Sequence, residues 1–217
     1  MAGEPGNRLR LWVAVTAHRD LVDEELPAIE SRVEACFREL TSAFPNLPLT
    51  LLTPLAAGGD QLAARVAHRM GLPFLAVLPM ELAEYERDFP EADALREFRA
   101  LIDKAEEVLC LPTLPVDDRA ASEEDRRQLQ YAQLGVFLSN HCQVLLALWD
   151  GKEGSKLGGT GQVVQYHLTA VMPGFDADSS PASLLADNEN DLVHHIVCSR
   201  YRPDGGPAAG LQVLDAA

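Results

Sequence analysis

Three loops of the chain carry residues that could bind an anion. They cover residues 16–20 (Thr-Ala-His-Arg-Asp), 57–60 (Ala-Gly-Gly-Asp) and 158–161 (Gly-Gly-Thr-Gly). Arg19 can hold a phosphate through two parallel hydrogen bonds, and His18 can donate another. The glycines allow backbone amides to approach phosphate oxygens, which a side chain would block. These residue types predict a site for a phosphate-bearing ligand.

Each loop also has an interpretation that needs no ligand. Paired glycines form tight turns between a strand and a helix, and Asp60 is typical of a helix N-cap, so we assign it a positioning role. Thr160 can cap the helix that follows it, and Tyr85 can be a core aromatic residue in a segment folding over the opening. The candidate ligand-binding residues are Thr16, His18, Arg19, Gly58, Gly59, Asp60, Tyr85, Gly158, Gly159, Thr160 and Gly161.

Motifs for catalysis or metal binding are not found in the sequence. There is no G-x-S-x-G, no Walker A sequence and no H-E-x-x-H pair. His194 and His195 are adjacent on a predicted strand, so their side chains point to opposite faces and are interpreted as structural. The cysteines lack C-x-x-C spacing and are predicted to be reduced, buried thiols: Cys36, Cys110, Cys142 and Cys198. We therefore predict no catalytic residue, no metal and no cofactor.

The candidate loops follow apolar segments that alternate with helical patterns. Strands are predicted at residues 11–16, 49–54, 74–79, 108–112 and 143–149, with a further candidate at 193–198. Helices are predicted at 27–43, 60–71, 122–140 and 162–171, and an acidic loop and helix at 80–105. Nearly continuous apolar strands are typical of a parallel sheet covered on both faces. This pattern predicts an α/β fold, a Rossmann-like three-layer sandwich with a central, mainly parallel sheet of five to seven strands.

The predicted topology explains how distant loops could form one site. In an open parallel sheet, ligands bind beyond the carboxyl ends of the strands, and all three loops leave the sheet at that edge. The chain of 217 residues suits one core, which we assign to residues 1–200, with residues 201–217 as a tail or linker.

Charge and hydropathy limit the class of partner. Asp and Glu number 33 against 18 Lys and Arg, giving a net charge of −15. This charge disfavours nucleic acid and anionic membranes, but backbone amides can still bind one small anion locally. Neither a secretory signal nor an apolar run of about 20 residues is present, so a cytoplasmic location without a membrane partner is expected.

Five segments together resemble the SLOG superfamily. They read VAVTAHRD, LAAGGDQLAA, LPMELAEYERDF, CQVLLALWDG and GGTGQVV, in the expected order over residues 9–171. The superfamily is related to the DNA-processing protein A family and the LONELY GUY phosphoribohydrolases. The resemblance implies a Rossmann-like sheet with a site for nucleotides or nucleotide-derived signals, built from the three loops. By analogy it also implies a homodimer and a linked or neighbouring effector domain.

The resemblance does not imply catalysis. Phosphoribohydrolases carry P-G-G-x-G-T-x-x-E in the last loop, and two alignments place Gln165 or Val163 at the acid's position. Neither side chain can act as a carboxylate. Ala17 also stands where relatives commonly have glycine, so very close backbone approach is not expected there.

Three functions remain open at this point. The favoured one is a sensor or regulatory module that binds a phosphate-bearing nucleotide or nucleotide-derived small molecule. The alternative is a nucleotide hydrolase, cleaving N-glycosidic or phosphate bonds with Asp88, Asp20 or Glu84 as its acid. The third is an interaction platform without a ligand.

Overall fold

The computed structural model describes residues 9–114, 122–154, 156–176, 192–201 and 210–214. Within these residues a single open sheet has the strand order β4-β3-β2-β1-β5-β6-β7. The first six strands are parallel, and β7 is antiparallel to β6. The strands are β1 (Leu11–Ala17), β2 (Leu49–Thr53), β3 (Phe74–Leu78), β4 (Glu107–Cys110), β5 (Val144–Trp149), β6 (Val193–Val197) and β7 (Gly210–Leu214). This architecture confirms the predicted Rossmann-like fold.

Helices cover both faces of the sheet. They are α1 (Leu26–Ala43), α2 (Gly59–Arg69), α3 (Leu82–Tyr85), α4 (Ala92–Ile102), α5 (Glu123–Asn140) and α6 (Thr160–Thr169). Buried side chains of α1, α2 and α4 belong to one core, and those of α5 and α6 belong to a second core. Successive strand residues face opposite sides of a sheet, and accordingly Val13 lies in the first core and Ala14 in the second.

Local sequence signals explain where two of the helices begin. Pro27 occupies the first turn of α1, where its missing amide costs no hydrogen bond. Ser122 precedes α5 and accepts from the amide of Asp125, whose carboxylate accepts from the amide of Ser122. This reciprocal capping box satisfies two amide groups and fixes the direction of α5.

The last strand was not predicted. β7 pairs with β6 from Val193–Leu214 to Val197–Gly210, and it lies within the segment assigned to a tail or linker. The division of the chain into domain and tail stays a prediction. His194 and His195 are buried on β6, and the carbonyl oxygen of Trp149 lies 3.0 Å from Nε2 of His195.

Two structural findings bear on membranes and metals. Among the described residues, no helix combines the length and apolar character needed to cross a bilayer. The same residues contain no cluster of three or more His, Cys, Asp or Glu side chains suited to a metal ion. The four cysteines are free thiols; three are buried and Cys110 is partly exposed.

The site is positioned by the change of direction in the strand order. The chain moves from β1 outward to β4 and then returns to place β5 on the other side of β1. The loops after β1 and β5 therefore diverge at the carboxyl edge of the sheet and leave a crevice between them.

Candidate functional site

A cavity of 530 Å³ lies at this crevice. Its walls come from the loop after β1, the loop after β5 and one face of α5, and a volume of this size suits a small-molecule ligand. The predicted residues that line the cavity are Thr16, His18, Arg19, Asp60, Gly158, Gly159, Thr160 and Gly161. Gly58, Gly59 and Tyr85 are not among the lining residues.

The Gly58–Gly59 turn packs behind the cavity wall. Gly58 has a φ of +83°, and a Cβ there would lie 2.4 Å from the carbonyl oxygen of Arg19. A Cβ on Gly59 would lie 2.4 Å from the Cβ of Ala17, and its amide donates to the carbonyl oxygen of His18 at 3.0 Å. Both glycines are thus required by the close approach of α2 to the loop after β1. Direct contact between either glycine and a ligand stays a prediction.

Tyr85 lies in the core. Its ring makes edge contacts with Phe89 and Phe98, with centroids 5.3 and 5.5 Å apart. The side chain is fully buried, and its hydroxyl has no hydrogen-bond partner among the described residues.

Asp60 is not the N-cap that its position in the sequence suggested. Gly58 precedes the first residue of α2, so the Asp60 carboxyl falls inside the first helical turn and caps no amide. The side chain is 4% exposed, and Oδ1 has no hydrogen-bond partner among the described residues. Burial raises the pKa of Asp60 to about 8, although the charge of Arg19 and the amide of Ala56 oppose this shift. Burial therefore favours the neutral form of the Asp60 carboxyl group.

Arg19 presents its charge to the cavity beside uncharged partners. Its two terminal nitrogens donate to the carbonyl oxygen of Asp88 at 3.2 Å and the hydroxyl of Tyr131 at 2.9 Å. The Asp88 carboxylate is occupied instead by Arg127 and by the Tyr131 hydroxyl. Among the described residues, no carboxylate forms a salt bridge with Arg19, so an anionic ligand could supply the missing charge.

A buried histidine–aspartate pair forms another part of the wall. Nε2 of His18 lies 3.0 Å from Oδ1 of Asp150, and both side chains are nearly enclosed. The amide of Lys152 donates to the same oxygen at 3.2 Å. Burial lowers the pKa of His18 despite its hydrogen bond to Asp150. Burial acts to raise the pKa of Asp150, but hydrogen bonds from His18 and the Lys152 amide more than offset it and lower the pKa.

The third loop leads into the N-terminus of α6, whose first residues line the cavity. Gly158 has a φ of +71°, and a Cβ there would lie 2.6 Å from backbone atoms of Tyr131 and Ala132 on α5. Gly159 is the N-cap of α6 and Thr160 its first residue, two residues earlier than predicted, and the Thr160 hydroxyl forms no cap. In the described part of the chain, no acceptor takes the amide hydrogens of Thr160 and Gly161. Such unsatisfied amides at a helix N-terminus attract anions.

Several cavity-lining residues were not identified from the sequence. They are Arg127, Tyr131, Asp150, Lys152, Lys156 and Arg200. Asp150 directly follows β5, so the rule that points to strand ends could have found it. Arg127 and Tyr131 lie on a helix, and nothing in their local sequence marks which face of α5 meets the site.

The acids considered for a hydrolase are all engaged in ion pairs. Asp20 accepts two hydrogen bonds from Arg200, at 2.8 and 2.9 Å. Arg127 contacts both Asp88 and Glu84. Of the two residues that align with the missing acid of the phosphoribohydrolases, Val163 lines the cavity and Gln165 is exposed.

Comparison with known proteins gave a distant likeness in structure. No protein-family model and no curated protein sequence matches the chain. The X-ray structure of DNA processing protein A (DprA) from Streptococcus pneumoniae is similar with a TM-score of 0.42 and 16% sequence identity. The match covers 64% of this chain and 41% of that protein, and it carries no statement about function.

Proposed function

We propose that the chain binds a phosphate-bearing nucleotide or nucleotide-derived small molecule in this cavity, as a sensor or regulatory module. The observation that carries the proposal is the Arg19 guanidinium, which lines the cavity with uncharged partners only. A guanidinium in that state gains a charge-assisted pair when a phosphate binds. The unsatisfied amides of Thr160 and Gly161 supply further donors.

The remainder of the cavity suits an apolar group of moderate size. Leu134 and Leu138 of α5 contribute to its lining, together with Leu157 and Val163. Ligand sites typically combine apolar walls with a few convergent polar groups, in volumes of about 300–1,000 Å³. A nucleotide, with an anionic phosphate and a flat base, matches this division better than inorganic phosphate does.

The resemblance of the sequence to the SLOG superfamily supports the same ligand class. The net charge of −15 favours a single small anion over nucleic acid, because an extended polyanion would be repelled by most of the surface. The proposal also includes membership of this superfamily, a cytoplasmic location, a homodimer and a linked or neighbouring effector domain. N-glycosidic cleavage by Asp20, Asp88 or Glu84 gains no support, since each carboxylate is held by an arginine.

Calorimetric titration with AMP, ADP-ribose and NAD tests the proposal. At least one of these probes should bind, and Arg19→Ala should weaken that binding by about 1.5–3 kcal/mol because a charged hydrogen bond is lost. Arg96→Ala is the matched control, since Arg96 is exposed on α4 and pairs with Asp93. Absence of binding by all three probes, or equal affinity in Arg19→Ala and wild type, would contradict the proposal.

A further inference from the structure

The hydrogen bond to Asp150 fixes the tautomer of His18. An ionised carboxylate only accepts hydrogen bonds, so Nε2, which lies 3.0 Å from Oδ1, must carry the proton. When the ring is neutral, its second nitrogen, Nδ1, consequently bears a free lone pair. Asp150 holds the ring in one orientation and one tautomer, as a carboxylate does for a general-base histidine.

Nδ1 is the nitrogen available to the cavity. Among the described residues it has no hydrogen-bond partner, and it is not one of the fully enclosed polar atoms that lack a partner. His18 is 9% exposed and lines the cavity, so the exposed part of an otherwise buried ring adjoins the ligand space. A water molecule there could donate to Nδ1.

Burial keeps the His18 ring neutral. Burial lowers its pKa, and the positive charge of Arg200 lowers it further. Asp150 and Asp20 oppose this shift, but Asp20 is also paired with Arg200. With the pKa held below its ordinary value, His18 is unprotonated at neutral pH and can accept a proton.

The hydrogen-bond donors that line the cavity suit one bond type for such a base. Cleavage of an N-glycosidic bond develops positive charge on the sugar, which a free carboxylate would stabilise. Asp20 and Asp88 are neutralised by arginines instead. Phosphoryl transfer spreads negative charge over phosphoryl oxygens, and Arg19 and the α6 amides can stabilise that charge. Two sets of donors on separate loops suit a ligand that carries two phosphates.

We propose that His18, positioned by Asp150, is a general base that activates water to hydrolyse a phosphoanhydride bond of the ligand. The water oxygen attacks phosphorus while its proton moves to Nδ1. The bond from phosphorus to the bridging oxygen breaks, and the leaving phosphate takes up the proton from the imidazolium. This activity rests on the proposed function, because it requires a diphosphate-bearing nucleotide in the same cavity.

Turnover of ADP-ribose and NAD, followed by ion-exchange chromatography, tests the activity. Wild type should release AMP from both probes, and His18→Gln should lower the rate by about 10²–10⁴-fold, the usual contribution of a general base. His68→Gln, at an exposed position near the end of α2, is the matched control and should retain the wild-type rate.

Asp150→Asn tests the positioning role. It should lower kcat with little change in KM, because the ring orientation rather than substrate binding is lost. It should also move the acid limb of the pH–rate profile to lower pH, since the negative charge of Asp150 raises the pKa of His18. A defect in folding alone would not move this limb. Nitrogen-15 NMR of the wild-type protein at pH 7.5 should show His18 protonated at Nε2.

Each result decides between this activity and simple binding. Binding of the probes without cleavage, an unchanged rate in His18→Gln, or protonation at Nδ1 would overturn the general-base proposal and leave the binding function intact. Absence of binding by wild type would overturn both proposals.

Discussion

Replacement of the buried acid Asp60 should remove part of the pH dependence of the unfolding free energy. Asp60 is 4% exposed, Oδ1 has no partner among the described residues, and its pKa is about 8. In the unfolded chain an aspartate has a pKa of about 3.9. Between these two values the folded protein retains a proton that the unfolded chain has released.

This difference sets both the sign and the size of the effect. Where the folded state binds one more proton, the free energy of unfolding falls by about 1.4 kcal/mol for each unit rise in pH. Below pH 4 both states are protonated, so Asp60 has no effect on the pH slope there. The loss grows from about pH 4 and reaches roughly 4 kcal/mol at pH 7, before it levels off above pH 8.

Urea unfolding at intervals from pH 4.5 to 7.5 measures this effect. Asp60→Asn removes the ionisation, so its unfolding free energy should gain about 1.4 kcal/mol per pH unit relative to wild type. Asp93→Asn, at an exposed position on α4, is the control and should keep the wild-type slope. Equal slopes for Asp60→Asn and wild type would show that Asp60 is ionised in the folded protein beside Arg19, and the neutral-acid interpretation would be wrong.

Two further predictions concern packing. Gly58→Ala places a methyl group 2.4 Å from the carbonyl oxygen of Arg19, at a φ of +83° that side-chain-bearing residues rarely adopt. It should lower the unfolding free energy, measured in urea, by more than the roughly 1–3 kcal/mol that such a backbone conformation costs alone. A smaller loss would contradict the close packing of the turn. Alkylation of native protein with N-ethylmaleimide should modify Cys110 first, because the other three thiols are buried and burial raises each of their pKa values to about 12; mass spectrometry of peptides at short times would reveal any other order.

Most of the fold could be predicted because the parallel strands leave a strong pattern. Strands buried on both faces need apolar residues nearly throughout, and β3 and β5 show this in sequence and structure alike. β7 escaped prediction because its five residues follow a segment rich in Gly, Pro and Ala, and an antiparallel edge strand of this length has little pattern of its own. β7 pairs with β6, and the segment that joins these two strands in the sequence has no strong pattern.

The candidate site could be predicted only as far as strand ends determine it. The loops that carry Arg19 and Gly159 leave neighbouring parallel strands, so their convergence follows from the order of elements. The contribution of α5 does not follow, because the face of Tyr131 is fixed by packing against the sheet and α6. The pairing of Asp150 with His18 likewise depends on the adjacency of β1 and β5, which a chain separation of 132 residues does not reveal.

Glycine content proved a weaker indicator of a ligand than the sequence suggested. Gly58 and Gly158 each have a positive φ, and each would collide with backbone atoms if it carried a Cβ. Packing alone therefore explains both residues, whether or not a phosphate binds nearby. Arg19 and His18 are different, since no packing requirement accounts for a guanidinium with only neutral partners or for a ring nitrogen left without one. The case for a ligand consequently rests on unsatisfied polar groups around the cavity, and substitutions of Arg19 and His18 separate ligand binding from folding in a way that substitution of these two glycines cannot.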